Sequence, residues 1–335
     1  MFELTCSDFE EFAGAIQGAD SRVMRTGREE SGWWVRDVEL CQVGVQLARE
    51  GAANVFEAAS WPTTVNLLIA LEGAPFHLNG EAFGRESIGL LAPGRAFTSL
   101  ASGANTWASI ALPVSVFRES CAPADHRRIQ QVMSGRTALV HTMPVHVARL
   151  HRLVSLVVRQ ARSGVLKGAE PTRSAESEIV YATAMALSDC LPDHEDRHGG
   201  RPPVPRRLVV DRALEWITAH QEDALRVTDL AQAAGVSERT LRTVFVECFG
   251  MGPLGYIRLR QVHQVHRELA AADPARTTVT AVAMKLGIWD LEGLAARYRR
   301  IFGKSPSSTL RDVPGHSQSV RTDTHHRQRL TISLD

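Results

Sequence analysis

Arg239 and Arg242 stand among Ser237, Glu238, Thr240 and Thr243, beside Leu241 and Phe245, which lie four residues apart. On a helix, an i, i+4 apolar pair faces a core and leaves the other residues turned outward. A planar guanidinium displayed in this way can make two parallel hydrogen bonds to O6 and N7 of a guanine edge in a major groove. Each arginine has an alternative role as a solvated surface charge or a member of a structural ion pair, and both readings stay open. Ser237 suits the residue just before a helix, where its hydroxyl caps free amides and those amides can hold a phosphate. Arg297, Arg299, Arg300 and Lys304 are further candidates for phosphate contacts, with ordinary surface charge as the alternative for each.

The elements that position these residues occur twice. Leu230-Ala231 is followed by Gly235-Val236, Leu241, Phe245, Phe249-Gly250 and Pro253; Val282-Ala283 is followed by Gly287-Ile288, Leu294, Tyr298, Phe302-Gly303 and Pro306. The spacings agree, except that the second turn is one residue longer. In each copy a short first helix carries a small alanine that admits a second helix. A glycine ends the first helix in the left-handed conformation, which costs it no Cβ clash. Val236 and Ile288 plug the angle between the helices, and Ser237 and Asp290 sit at the N-cap of the second. Leu294 and Tyr298 pin the later copy as Leu241 and Phe245 pin the earlier one. This is a helix-turn-helix plan, whose second helix enters a major groove. In the second copy Leu291, Glu292, Gly293 and Ala296 take the outward positions. There Leu291 would meet a thymine methyl and Glu292 would accept from a cytosine amine.

Between the copies, Leu254–Ala272 reads as one helix, with Ile257, Val262, Val265 and Leu269 inward and Arg258, Arg260 and Arg267 elsewhere. Asp273-Pro274 ends it. A continuous helix is a stiff spacer at about 1.5 Å per residue, and successive major-groove faces lie about 34 Å apart.

Upstream the pattern changes. Residues 1–118 read mainly as short strands: Cys41–Leu47 alternates, Val65–Leu71 is apolar, and Glu72–Pro75, Asn79-Gly80 and Pro93-Gly94 are turn signals. Such spacing favours a sandwich or barrel. Ala124–Met133, His146–Ser163 and Ser174–Leu191 read as helices. The last two form a hairpin that either offers a dimer face or covers the strands. Residues 192–205, rich in Pro, Gly and charge, read as a linker, and 312–335 as a disordered tail.

Across 335 residues the net charge is +1, yet residues 1–204 hold 19 Lys+Arg against 23 Asp+Glu, while residues 205–312 hold 16 against 12. The asymmetry points one part of the chain at a polyanion. Acids in Met1–Ser21 argue against a signal peptide, and the sequence has no long apolar run for a membrane span. Five scattered cysteines without a CxxC pair suggest reduced thiols and a cytoplasmic setting.

These C-terminal residues resemble the AraC/XylS family of bacterial transcription regulators. The resemblance covers Arg206 to Arg311, through Ala231, Gly235-Val236-Ser237, Leu241 and Phe245, then Phe249-Gly250 and Pro253, then Gly287-Ile288 and Asp290, and finally Phe302-Gly303-Lys304-Ser305-Pro306. It implies a seven-helix DNA-binding domain and contact with RNA polymerase in activation. One departure is Ile288, where the family usually has Phe or Tyr. Leu90–Gly94 and Leu112-Pro113 resemble the cupin-like sensory domain often joined to it. The expected fold is therefore α+β multidomain. A cupin-like β barrel spans 1–120, a helical dimerisation segment 121–191, the linker 192–205, an all-α domain with two helix-turn-helix units 206–311, and the tail 312–335.

The expected function is a sequence-specific regulator, an activator and homodimer that binds double-stranded DNA and responds to a small-molecule effector. Its DNA-contact set is Ser237, Glu238, Arg239, Thr240, Arg242, Thr243, Asp290, Leu291, Glu292, Arg297, Arg299, Arg300 and Lys304. Trp33, Trp34, Trp61, Phe76, His77 and Trp107 are candidates to line an effector site in the barrel mouth, or simply to fill its core. No cofactor is expected. Nor is a metal, because His77 is the single histidine of residues 1–118. Two alternatives are a regulator governed by abundance or a protein partner, and a DNA-binding enzyme. The second wants a reactive cysteine in a motif such as Pro-Cys-His, which neither Cys121 nor Cys190 supplies.

Overall fold

In a computed structural model of the chain, residues 1–17, 19–121, 132–134, 137–188, 205–220 and 226–312 are described. The expected helix over Ala124–Met133, the 192–205 linker and the 312–335 tail therefore lie largely outside the described residues.

Two antiparallel sheets face each other. One runs β1 (Phe2–Cys6), β3 (Trp33–Glu39), β4 (Gly44–Glu50), β11 (Asn105–Pro113), β6 (Thr64–Gly73), β9 (Ser87–Leu91) and β12 (Ala138–His141); the other runs β2 (Ala19–Glu29), β5 (Ala52–Ser60), β10 (Ala96–Ala101), β7 (Phe76–Leu78) and β8 (Glu81–Phe83). Strand alternation decides what each face meets. On β6, Val65, Leu67 and Ile69 join one buried cluster on the outer face, while Leu68 and Ala70 join the cluster between the sheets. The Asn79-Gly80 signal is the β7–β8 hairpin turn, with both residues at positive φ (52° and 83°), as a type I′ turn requires.

Within the mainly strand-forming residues 1–118 lies a helix that the sequence reading passed over. α1 (Phe9–Ala15) lies between β1 and β2, started by Asp8, whose carboxylate accepts from the amides of Glu10 and Glu11 at 2.9 and 2.8 Å. Phe9 and Phe12 on it are buried among Trp33 and its neighbours. Asp8 ahead of two acids was the legible signal. A further short helix, α2 (Val114–Cys121), follows β11.

α3 (Pro144–Arg162) and α4 (Ala169–Ser188) form the expected hairpin, and its apolar stripe lies on the outer face of the seven-stranded sheet. Val147, Leu150, Val154 and Val157 are buried there, each contributing roughly 1.5–3 kcal/mol. α4 begins earlier than the expected Ser174 because Pro171 falls in its first turn, where no intrahelical bond needs its missing N–H. Glu176 on this helix accepts from the backbone amides of Gln42 and Val43 at 2.6 and 3.0 Å, tying the hairpin to the β3–β4 turn.

Seven helices follow among the described residues: α5 (Arg206–Ala219), α6 (Val227–Ala234), α7 (Glu238–Phe249), α8 (Pro253–Ala270), α9 (Val279–Lys285), α10 (Leu291–Phe302) and α11 (Pro306–Arg311). α8 is the spacer, begun by Pro253 where a helix needs no donor. No helix among the described residues is long and apolar enough to cross a membrane.

The helical part packs on the outer face of the five-stranded sheet, so that Met24 and Val55 belong to its core. Tyr256 of α8 donates its hydroxyl to Glu57 of β5. His263, on the same helix, lies with Nε2 2.9 Å from the Arg25 carbonyl of β2. Arg25 in turn donates to the Ile301 carbonyl at 3.0 Å near the end of α10, and Phe9 stacks on Phe302 with ring centres 6.1 Å apart.

Candidate functional site

α6 ends at Gly235, in the left-handed region with φ 70°. Val236 packs into the corner, and α7 opens with Ser237 accepting from the Thr240 amide at 3.2 Å. Ser237 is thus the cap of this helix, with its hydroxyl also 2.9 Å from that of Thr240. Leu241, Val244, Phe245, Cys248 and Phe249 are buried, which turns Glu238, Arg239, Thr240, Arg242 and Thr243 to the open face. Glu238 accepts from Thr228 at 3.0 Å, and Thr243 donates to the Arg239 carbonyl at 3.1 Å. Among the described residues neither Arg239 nor Arg242 forms an ion pair, and both are exposed.

In the second copy, Gly287 has φ 67° and Ile288 is buried in the corner between the two helices. Asp290 caps α10, accepting from the Gly293 amide at 2.8 Å. That bond, with Arg297 nearby, holds its carboxyl below the usual carboxylate range. A Cβ on Gly293 would meet this carboxylate, which would have to turn to make room. Arg297 reaches back to Asp290 at 3.4 Å, so its guanidinium is already engaged. Leu291, expected outward, is half-buried against the helical core, whereas Glu292, Arg299 and Arg300 are exposed. Lys304 pairs with Asp312 at 3.3 Å.

Sequence reasoning passed over Trp289, which is 78% exposed at the turn just before α10. Its signal was an indole between the corner residue Ile288 and the cap Asp290, where neither neighbour offers it a core.

Both second helices have the same polarity relative to the sheets. The C-terminal end of α7 meets the β7–β8 turn and β10, where Gly80 lies by Cys248 and Gly250 by Leu100. The C-terminal end of α10 meets Arg25 and Phe9. Their capped N-terminal ends, with Ser237 and Asp290, are exposed.

Between the sheets lies a small cavity of about 40 Å³. Phe76 and Trp107 stand in its wall; Trp33 does not, being buried against Phe9 and Phe12. Trp34 packs on the opposite face of β3, and His77 is exposed on β7. Trp61 is exposed and lines a second, outer recess. Glu50 is buried in the cavity wall, accepting from Asn54, Asn105 and the Trp107 indole at 2.7, 2.8 and 2.8 Å.

The family described as "Helix-turn-helix domain" matches residues 230–312. A probable thc operon regulatory protein of Rhodococcus erythropolis is 32% identical over 114 residues, covering 34% of this chain and 34% of that protein. The XylDLEGF operon transcriptional activator 2 of Pseudomonas putida is 32% identical over 127 residues, which are 38% of this chain and 79% of that protein. The chain belongs to the AraC/XylS family of transcription regulators. A solved structure titled as a probable AraC family transcriptional regulator from Rhodopseudomonas palustris is 30% identical, with a TM-score of 0.30, covering 32% of this chain and 98% of that one. The chain spans about a third of the first relative's length; the helix-turn-helix family match begins at Leu230, within α6.

Proposed function

We propose that the chain is a sequence-specific, DNA-binding transcription activator whose two helix-turn-helix units occupy successive major grooves. The polarity of α7 and α10 carries this reading: both present capped, exposed N-terminal ends on the side away from the sheets, joined by one continuous spacer helix. Arg242 and Arg239 read bases from α7, and Ser237, Glu238, Thr240 and Thr243 support them. From the second unit, Arg299, Arg300 and Lys304 hold phosphates, while Asp290, Leu291, Glu292 and Arg297 shape the helix start. The name of the Pseudomonas relative supports activation; contact with RNA polymerase is part of the same proposal. Residues 1–120 and 206–311 act as sensory and DNA-binding domains, joined by the helical segment 121–191 and the linker 192–205.

The cavity between the sheets supports control by a small-molecule effector, which shifts an existing balance between arrangements of the two domains. Two copies pair through the outward face of α3 and α4, where Tyr181 is exposed and Arg149 pairs with Glu178 at 3.0 Å. Selection of the full chain against a randomised duplex pool tests the central reading. The expected product is a motif with two elements roughly 10–10.5 base pairs apart; recovery of sequences without any enriched motif overturns it.

A further inference from the structure

Each helix-turn-helix unit rests on one end of α8. Phe249 of α7 packs on Tyr256 with ring centres 4.5 Å apart, and Phe302 of α10 stacks on His266 at 4.0 Å. A single rod fixes how far apart two units lie but leaves the tilt of each to a few side chains. The five-stranded sheet supplies a second body that touches both units. Its strand order is β2-β5-β10-β7-β8, so β2 and the β7–β8 hairpin stand toward opposite edges.

The first unit docks toward the hairpin edge. A Cβ on Gly80, in the hairpin turn, would lie 3.1 Å from Cys248 Sγ, and one on Gly250 would lie 3.1 Å from Leu100 of β10. Arg207 of α5 reaches Asn79 of the same turn at 3.5 Å. The second unit docks at the β2 edge. There Arg25, 7% exposed, donates from Nη2 to the Ile301 carbonyl at 3.0 Å, and its guanidinium lies 5.8 Å from the Phe302 ring and 5.9 Å from the Phe9 ring. α8 is tied to the same sheet by Tyr256 to Glu57 of β5 and by His263 to the Arg25 carbonyl. Both docks hold the C-terminal ends of the second helices. Glu238, Arg239, Thr240, Arg242 and Thr243 are exposed in this docked form. The sandwich therefore grips the units without covering the reading face.

We propose that the five-stranded sheet is the gauge that sets the spacing between the two DNA elements, with Arg25 and Phe9 holding the second unit to it and Leu100 the first. This rests on the reading above that the units occupy successive grooves. Each base pair added between two elements moves one of them about 3.4 Å along the duplex and about 34° around it. A pair of units free to tilt follows such a shift; a pair fixed at both edges of one sheet does not. The Arg25 hydrogen bond makes the second dock specific in position, because it holds only over a narrow range of distance and angle, whereas apolar contacts slide. Arg25, Phe9 and Leu100 are positioning residues, acting on DNA through the helices they hold.

Anisotropy titration of the full chain tests this on duplexes carrying the selected two-element site, with its spacing kept, shortened by one base pair or lengthened by one or two. The parent is expected to bind the altered spacings about tenfold more weakly, the scale of one lost base contact. Arg25→Met keeps an apolar stem and removes the donor to Ile301. Leu100→Ala trims the dock of the other unit, so the test survives if the first variant fails to fold. In either variant that melts cooperatively, the penalty should shrink to about threefold, while affinity at the kept spacing stays within about threefold of the parent. A parent that binds every spacing alike overturns the gauge and leaves sequence-specific binding intact. A penalty undiminished in both folded variants overturns it and assigns the spacing to α8 alone. Variants that bind the kept spacing about tenfold more tightly than the parent also overturn it, because the sheet then restrains the units instead of aligning them. If no two-element site is selected at all, the function proposed above fails, and the gauge falls with it.

Discussion

His263 Nε2 lies 2.9 Å from the carbonyl oxygen of Arg25, and this contact joins the spacer helix to an outer strand of the β sandwich. The carbonyl can only accept, so Nε2 carries the proton. Nδ1 is buried without a partner among the described residues, which leaves no place for a second N–H. His266, one turn on, stacks on Phe302 with ring centres 4.0 Å apart and has Nδ1 2.6 Å from the Tyr298 hydroxyl. The two domains therefore meet across neutral imidazoles.

Acidification is expected to loosen this contact. Burial lowers His263 to about 3 and His266 to about 4, against 6.5 for a free imidazole. The unfolded or undocked state binds protons first, so their contribution is fully present above pH 6.5 and is lost as pH falls from there toward 4. For fully buried His263 the loss between pH 7 and 5 is on the order of 2 kcal/mol. Urea melts at both pH values check this, and His263→Asn should flatten the difference.

Asp290→Ala should damage the second unit. It removes the carboxylate that caps α10, and loss of a cap costs about 1 kcal/mol. The expected result is a small drop in melting temperature with a larger fall in DNA affinity, read by denaturation and by fluorescence anisotropy on one sample. Full affinity would remove α10 from the DNA surface.

Arg242→Ala should weaken binding to the selected site by ~1–3 kcal/mol and relax preference at one or two base pairs. Arg300→Ala should weaken all sequences alike and reduce the salt slope of log K by about 1. Salt titrations on matched and mismatched duplexes separate these outcomes. Exchanged behaviour would reverse the roles.

Trp289→Ala should leave stability within about 0.5 kcal/mol, as expected for an exposed side chain, while lowering DNA affinity. Its indole is positioned beside the capped start of α10 and is 78% exposed. Anisotropy titration decides the matter; affinity equal to the parent would make Trp289 a bystander.

The helix-turn-helix units were legible in the chain because their signals are local. A left-handed glycine at 235 or 287, a capping Ser237 or Asp290 and an apolar pair four residues on act over a single turn of backbone, whatever surrounds them. Alternation likewise marked the strands, though α1, announced by Asp8, went unread. The partnerships were not legible. Gln46, Trp107 and Phe97 converge only once β4, β11 and β10 take their places in two facing sheets, and no local rule orders strands so far apart in the chain. The histidines and Tyr256 of α8 have the composition of a solvated face. Only the sheet's outer surface, with its free carbonyl at Arg25 and its carboxylate at Glu57, makes them an interface. Sequence by itself determined the elements, because caps and periodicity are properties of neighbours; tertiary structure decided which polar groups are buried together, because burial is a property of the whole assembly.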